Sequence, residues 1–238
     1  MTIYDIAQSC GVSIATVSRV LNGSTKVRET TRKKVLAAME EQKYSPNPFA
    51  RGLGLDSMKT VGILCTDIAD AFFAKAVSLV EPNLRARGFD VILGCTGNDQ
   101  DDKKKYVHLL IERHVDAIIL IGSSFGEILD SSHLAQAAGK VPIFIINCSV
   151  KFPQVYCVVC DEAGGFYEST QQFAKRGYKD ILYLYDRLTY SGQQKLKGFH
   201  EGLKKAKLEA NPHLEVLAER TLSAAGQAIE KLLTEKVH

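Results

Sequence analysis

The sequence has no apolar run approaching the ~18–20 residues that a membrane-spanning helix needs. Its N-terminus also lacks the positive region, apolar core and small-residue cleavage site of a secretory leader. A cytoplasmic protein with no membrane partner is therefore expected. No Walker A stretch occurs, and Gly52-Leu-Gly54 lacks the preceding strand, third glycine and following helix of a dinucleotide fingerprint. The six cysteines (10, 65, 95, 148, 157 and 160) include the pair Cys157-Val-Val-Cys160, which invites a metal or redox reading. In a strand, positions i and i+3 point to opposite faces and cannot chelate together. The thiols are expected to be inert and largely in the core, in a reducing compartment, with no metal and no cofactor.

Acidic residues are scarce at one end. Residues 1–60 hold nine Lys and Arg against five Asp and Glu, whereas residues 61–238 hold 21 against 22. The net +3 is thus concentrated in the first quarter, which points to a polyanionic partner there. At 45% hydrophobic and 24% charged residues, the chain is otherwise an ordinary globular composition with material for a sizeable core.

Residues 2–44 read as helices only. Thr2-Ile-Tyr-Asp5 resembles a capping box, with Asp in place of Glu, and opens a helix through about Ser9. Gly11 suits a tight turn with positive φ. Ser13 is a good N-cap for a second helix ending at Leu21, stopped by Asn22-Gly23. A third, from about Glu29 to Lys43, carries Val35, Leu36 and Met39 at helical spacing. Tyr44-Ser-Pro-Asn-Pro48 follows; Asn47 as N-cap and Pro48 as first helical residue allow a short helix to Leu53. Six residues are too few to be stable alone, so this is a conditional helix within a linker.

From Thr60 the pattern changes. Apolar runs (VGILC, DVILGC, DAIILIG, PIFIIN, YCVVCD, DILYLY) alternate with amphipathic segments of helical length. Strands hydrophobic throughout and separated by helices imply a doubly wound α/β region with a parallel sheet covered on both faces. Ligands bind beyond the carboxyl ends of such strands. Here those ends are Thr66-Asp67, Thr96-Gly97-Asn98, Gly122-Ser123-Ser124 and Cys160-Asp161-Glu162.

On the second helix, Val17, Val20 and Leu21 form one narrow apolar stripe, expected to pack on Ile6 and Ala7. Ala15, Ser18, Arg19 and Asn22 form the opposed stripe, flanked by Ile14 and Thr16. Short side chains permit close approach to a DNA major groove, and hydroxyls and amides reach phosphates. Arg can read guanine O6 and N7 in bidentate fashion, and Ile14 and Ala15 can meet thymine methyls. An ordinary surface helix of a small bundle is the plainer reading of the same spacing.

The motif T-I-Y-D-I-A-x-x-x-G-V-S-x-A-T-V-S-R-V-L-N-G, then T-R-K-K-V and Y-S-P-N-P-F-A-R-G-L, closely resembles the DNA-binding region of the LacI/GalR family of bacterial transcription regulators. The likeness is dense from Thr2 to Leu53 and continues more loosely through VGILCTDIADAFFA, DAIILIGSS and LKGFHEGL. The resemblance implies a regulator, a repressor above all, that reads a near-palindromic double-stranded operator as a homodimer. A small-molecule effector (a sugar, sugar phosphate or related metabolite) would control it. Ile14, Ala15 and Arg19 would contact bases, and Thr2, Ser13, Thr16, Ser18 and Asn22 would hold phosphates. Asn47 and Leu53 would belong to a hinge helix that folds in the minor groove, with Leu53 as the wedge that bends the duplex.

For the effector, the resemblance implies Phe72 and Phe73 for stacking, Ser123 and Ser191 for hydrogen bonding, and Asp161 and Lys195 as charged partners. Two departures bear on that pocket. Many members carry Arg where Lys195 stands and Asn where Glu162 follows Asp161. Lys195 could still pair with a carboxylate or phosphate, as a point charge without the planar fork. It is the one positive charge that the likeness places near the strand ends, so a phosphate or carboxylate ligand is an expected effector class. The implied organisation is a helix-turn-helix domain over 1–44 and a hinge and linker over 45–59. A periplasmic-binding-protein-like core follows, with one subdomain over 60–160 and a partial second over 161–238. Family members continue past His238, so the second subdomain is expected to be incomplete.

Two rivals remain at this point. Gly122-Ser-Ser-Phe-Gly126 matches G-x-S-x-G after a strand, which would make Ser124 a nucleophile. His133, His200 and His213 have no obvious oriented acid, so a polar turn is the cheaper reading and no enzyme is expected. A sugar-binding module without DNA function would share the fold, but the basic N-terminal helices argue against it.

Overall fold

The computed structural model describes residues 2–44, 57–130 and 132–235. The chain divides into two units, Met1–Thr60 with His114–Asp116, and Val61–Arg113 with Ala117–His238.

In the first unit, α1 (Ile3–Cys10), α2 (Ile14–Leu21) and α3 (Glu29–Glu41) follow the expected order. Asp5 reaches back to the start of α1: its Oδ2 accepts from Thr2 N at 2.7 Å and from Thr2 Oγ1 at 3.0 Å. Those two bonds hold the Asp5 carboxyl below its ordinary pKa. Gly11 ends the helix in the left-handed region, at φ 62°, where a Cβ would be strained. Ser13 caps α2, its Oγ accepting from Thr16 N at 3.2 Å. The three helices enclose Ile6, Ala7, Cys10, Val17, Val20, Val35 and Met39, with Leu21 packed at the margin. Full burial of residues such as Ile6, Val17 and Val35 stabilises by roughly 1.5–3 kcal/mol each. One expected position differs. Leu36 is 47% exposed, because it lies beside the inward stripe of Val35 and Met39 rather than on it.

The second unit alternates strands and helices: β1 (Thr60–Cys65), α4 (Ala71–Arg85), β2 (Asp90–Cys95), α5 (Gln100–Glu112) and β3 (Ala117–Ile121). A 3-10 segment (Ser123–Asp130), α6 (Ser132–Ala138), β4 (Ile143–Ile146), β5 (Val155–Val158) and α7 (Glu162–Lys175) come next. Then follow β6 (Tyr183–Tyr185), α8 (Tyr190–Ala206), a 3-10 turn (Pro212–Leu214), β7 (Glu215–Leu217) and α9 (Leu222–Thr234). The first five strands form one sheet in the order β2-β1-β3-β4-β5, and β6 and β7 pair in parallel as a second sheet. Pairing is parallel for β1 with β3, β3 with β4 and β4 with β5.

Coverage of the sheet is uneven. β1 and β3 are largely buried on both faces, as their continuous apolar runs require. The edge strands depart from the expectation of full cover. Residues of β2 and β5 are half-buried or exposed and none is buried, and Phe144 stacks on Tyr156 at 5.1 Å, both exposed. β7 is a strand that periodicity did not mark, being three residues long and opened by a glutamate.

This strand order positions a site. From β1 the chain winds outward through α4 to β2, then crosses back through α5 to β3 on the other side of β1. At that reversal the connections leave the carboxyl ends of β1 and β3 in opposite directions, which opens a crevice there.

Candidate functional site

On α2 the structure separates the two stripes. Val17 and Val20 are buried, whereas Ile14, Ala15 and Arg19 are exposed. Thr2 and Ser13 are also exposed, and Thr16, Ser18 and Asn22 are half-buried. Ser13 Oγ and Thr16 Oγ1 lie 2.9 Å apart, so the two hydroxyls at the start of α2 are already aligned with the helix end. The backbone amides of its first turn point the same way, which suits an anion such as a DNA phosphate. Nearby, Arg32 Nη2 donates to the Ser24 carbonyl at 2.5 Å and its Nε pairs with Glu29, so this arginine braces the turn before α3. Asn47 and Leu53, with the conditional helix expected to contain them, lie outside the described residues.

The crevice is built from several elements. Asp70 caps α4 through Phe72 N at 2.8 Å, and its other oxygen accepts from Arg220 Nη1 at 2.7 Å. Phe72 is 44% exposed, while Phe73, edge-on to it at 5.5 Å, packs against the core of Ile63, Cys65 and Ile121. Of the two expected stacking rings, Phe72 is the one with a face to offer. Past β3, Ser123 Oγ lies 2.7 Å from Thr189 Oγ1 at the start of α8. Asp161 is exposed and caps α7 through Gly164 N at 2.8 Å.

Glu162 draws the remaining expected residues together. Its Oε1 accepts from Ser191 Oγ at 2.5 Å and from Lys195 Nζ at 3.3 Å. The same carboxylate bears on the Tyr183 hydroxyl, whose pKa burial, then Tyr185, then Glu162 push up to about 12. Ser191 is buried with its hydroxyl donated inward.

The arrangement corrects several expectations. Lys195 is not the sole cation at the strand ends: Arg220 meets Asp70, and Lys103 is fully buried with Nζ 3.4 Å from the Ser124 carbonyl. Neither was legible, because Arg220 follows a strand too short to register and Lys103 reads as a surface position of an amphipathic helix. His200 does have an acid partner, Glu215 Oε1 at 2.7 Å, which sequence spacing could not reveal because one residue lies within α8 and the other opens β7 beyond a 3-10 turn. Ser124 itself sits in a 3-10 segment instead of the sharp strand-to-helix turn that exposes a hydrolase nucleophile.

Comparison with known proteins bears on both regions. Residues 2–47 match the model for bacterial regulatory proteins of the lacI family, and residues 58–236 match that for periplasmic binding proteins and the sugar binding domain of the LacI family. An HTH-type transcriptional regulator of Lachnoclostridium phytofermentans is 44% identical over 99% of this chain and 71% of its own length. Catabolite control protein A of Priestia megaterium is 30% identical over 99% of this chain and 70% of its own. Among solved structures, the lac repressor dimer bound to operator and the anti-inducer ONPF superposes with a TM-score of 0.81 at 23% identity, covering 100% of this chain and 71% of that one. A complex of the transcriptional regulator CelR with cellobiose gives 0.62 at 27% identity, covering 98% and 70%. The Lachnoclostridium relative is a transcriptional regulator, and the match over residues 2–47 sets aside a sugar-binding module without DNA function.

Proposed function

Because the chain belongs to the LacI family of bacterial regulatory proteins and is a DNA-binding transcription regulator, we propose that it represses genes of carbohydrate or related metabolism from a near-palindromic operator. It does so as a homodimer, each protomer laying α2 in the major groove. Ile14, Ala15 and Arg19 meet base edges; Thr2, Ser13, Thr16, Ser18 and Asn22 hold phosphates. Residues 1–44 form the reading domain and 45–59 the hinge and linker, with Asn47 and Leu53 on the operator centre. Residues 60–160 and 161–238 contribute two lobes around an effector crevice of Phe72, Phe73, Ser123, Asp161, Ser191 and Lys195. Among the described residues, no helix is long and apolar enough to cross a membrane.

The observation that carries this reading is the exposed Ile14, Ala15 and Arg19 on a helix whose other stripe is buried. Arg19→Ala is the test. Loss of a bidentate guanine contact should cost roughly 1–3 kcal/mol of specific binding. The salt-dependent binding to unrelated DNA should remain nearly intact, since it rests on the sum of phosphate contacts. Fluorescence anisotropy with operator and scrambled duplexes separates the two. An equal fall in both affinities would make Arg19 a phosphate anchor and remove it from base reading.

A further inference from the structure

Glu162 stands in the first turn of α7, beside the cap Asp161, where it meets two donors from α8. Its side chain is 10% exposed against 37% for Lys195, so the carboxylate lies inside and the ammonium toward solvent. A second cation of the crevice, Arg220, is likewise met by a carboxylate of the chain, Asp70.

We propose that Glu162 sets the charge class of the effector: by occupying Lys195 it fits the crevice to uncharged polyhydroxylated ligands, sugars or polyols, and turns it against phosphorylated or carboxylated ones. The proposal rests on the reading of this crevice as the effector site. An anion that reached Lys195 would compete with a carboxylate fixed by α7 and by the Ser191 hydroxyl. It would then sit beside the displaced Glu162, a like charge in a partly desolvated place. Exclusion of one ligand class by a built-in repulsive group is how many sites gain specificity. A sugar hydroxyl meets no such obstacle. It is donor and acceptor at once, so it can donate to the Glu162 carboxylate, accept from Lys195 and leave the pair in place. The exposed Phe72 ring offers an apolar face of the kind on which sugar C–H groups rest.

The test is calorimetric titration of the full 238-residue chain with inorganic phosphate and with glucose 6-phosphate. Glu162→Gln keeps an acceptor for Ser191 and removes the charge, and it should tighten both probes by about tenfold or more. Adding Lys195→Gln should abolish that gain. Circular dichroism confirms that each variant is folded, and Glu162→Asn, a shorter neutral side chain, serves as a second arm. Wild-type protein that binds either phosphate as tightly as Glu162→Gln overturns the proposal, as does a gain that survives Lys195→Gln. Failure of the effector reading looks different: a panel of neutral sugars would leave wild-type operator affinity unchanged, a result read independently of the anion titrations, which contain no DNA.

Discussion

Cys65 closes β1 fully buried, whereas Cys95 closes the neighbouring β2 and is exposed, with the two sulfurs 3.9 Å apart. Burial, reinforced by Cys95 nearby, pushes the Cys65 thiol up from 9.0 to about 12. An unfolded chain has no such burial, so above about pH 9 the unfolded form gives up this proton first. Stability drawn from the raised pKa is therefore whole below pH 9 and is lost as pH rises through 12. Urea unfolding across that range should show a free energy falling with pH in the wild type and falling less steeply in Cys65→Ala. Tyr183, also pushed up to about 12, acts with the same sign from pH 10 upward, so some slope persists in the variant. Identical slopes would show that Cys65 is not a contributing group. The strand pattern led to the expectation of thiols largely in the core, yet Cys95 and Cys160 are exposed. Both lie at or beyond the ends of edge strands, and edge position is a property of strand order, which a single strand's composition does not carry.

At the scale of elements, α7 and α8 approach closely enough that glycine is required between them. A Cβ on the buried Gly198 would overlap the Ala163 carbonyl, and one on Gly202 would meet the Thr170 side chain at 2.6 Å. Gln171 Nε2 donates to the Gly202 carbonyl at 2.5 Å across the same contact. Gly198→Ala should gain helix propensity but force the helices apart, for a net loss of roughly 1–3 kcal/mol. Because α8 carries Ser191 and Lys195, the same shift should disturb their bonds to Glu162, which amide exchange along α8 would report as lost protection. A variant as stable as wild type, with unchanged exchange, would remove the close-contact argument. The helices and longer strands were legible because periodicity and caps mark them: Ser13 before α2, the apolar runs that became β1 and β3, the glycine after α1. β7 and the 3-10 segment over Ser123–Asp130 were not, since three residues or a run of single-turn bonds leave no repeat to detect. The crevice was legible as a place, at the strand ends. Its pairing of Glu162 with Lys195 and of Asp70 with Arg220 was not, because each joins residues on different elements.

For the whole molecule, two separate cores imply two separable stabilities. The N-terminal unit depends on a cluster of seven buried residues from three short helices. Domains this small bury a modest share of their surface and are marginal on their own. The α/β unit has its own core around Ile63, Cys65 and Ile121, and its second sheet adds a cluster of Tyr183, Phe199 and Leu203. Differential scanning calorimetry should resolve two transitions, the smaller belonging to the N-terminal unit. Operator DNA binds the folded helices and not the unfolded ones, so at a hundred times the dissociation constant it should stabilise that unit by about 2.7 kcal/mol. The smaller transition should move up with operator and stay in place with a scrambled duplex at matched salt. In Arg19→Ala the same operator concentration should move it less, since the specific component is weakened, while its position without DNA should hardly change because Arg19 is exposed. A single transition with and without operator would show that the two cores unfold as one cooperative body.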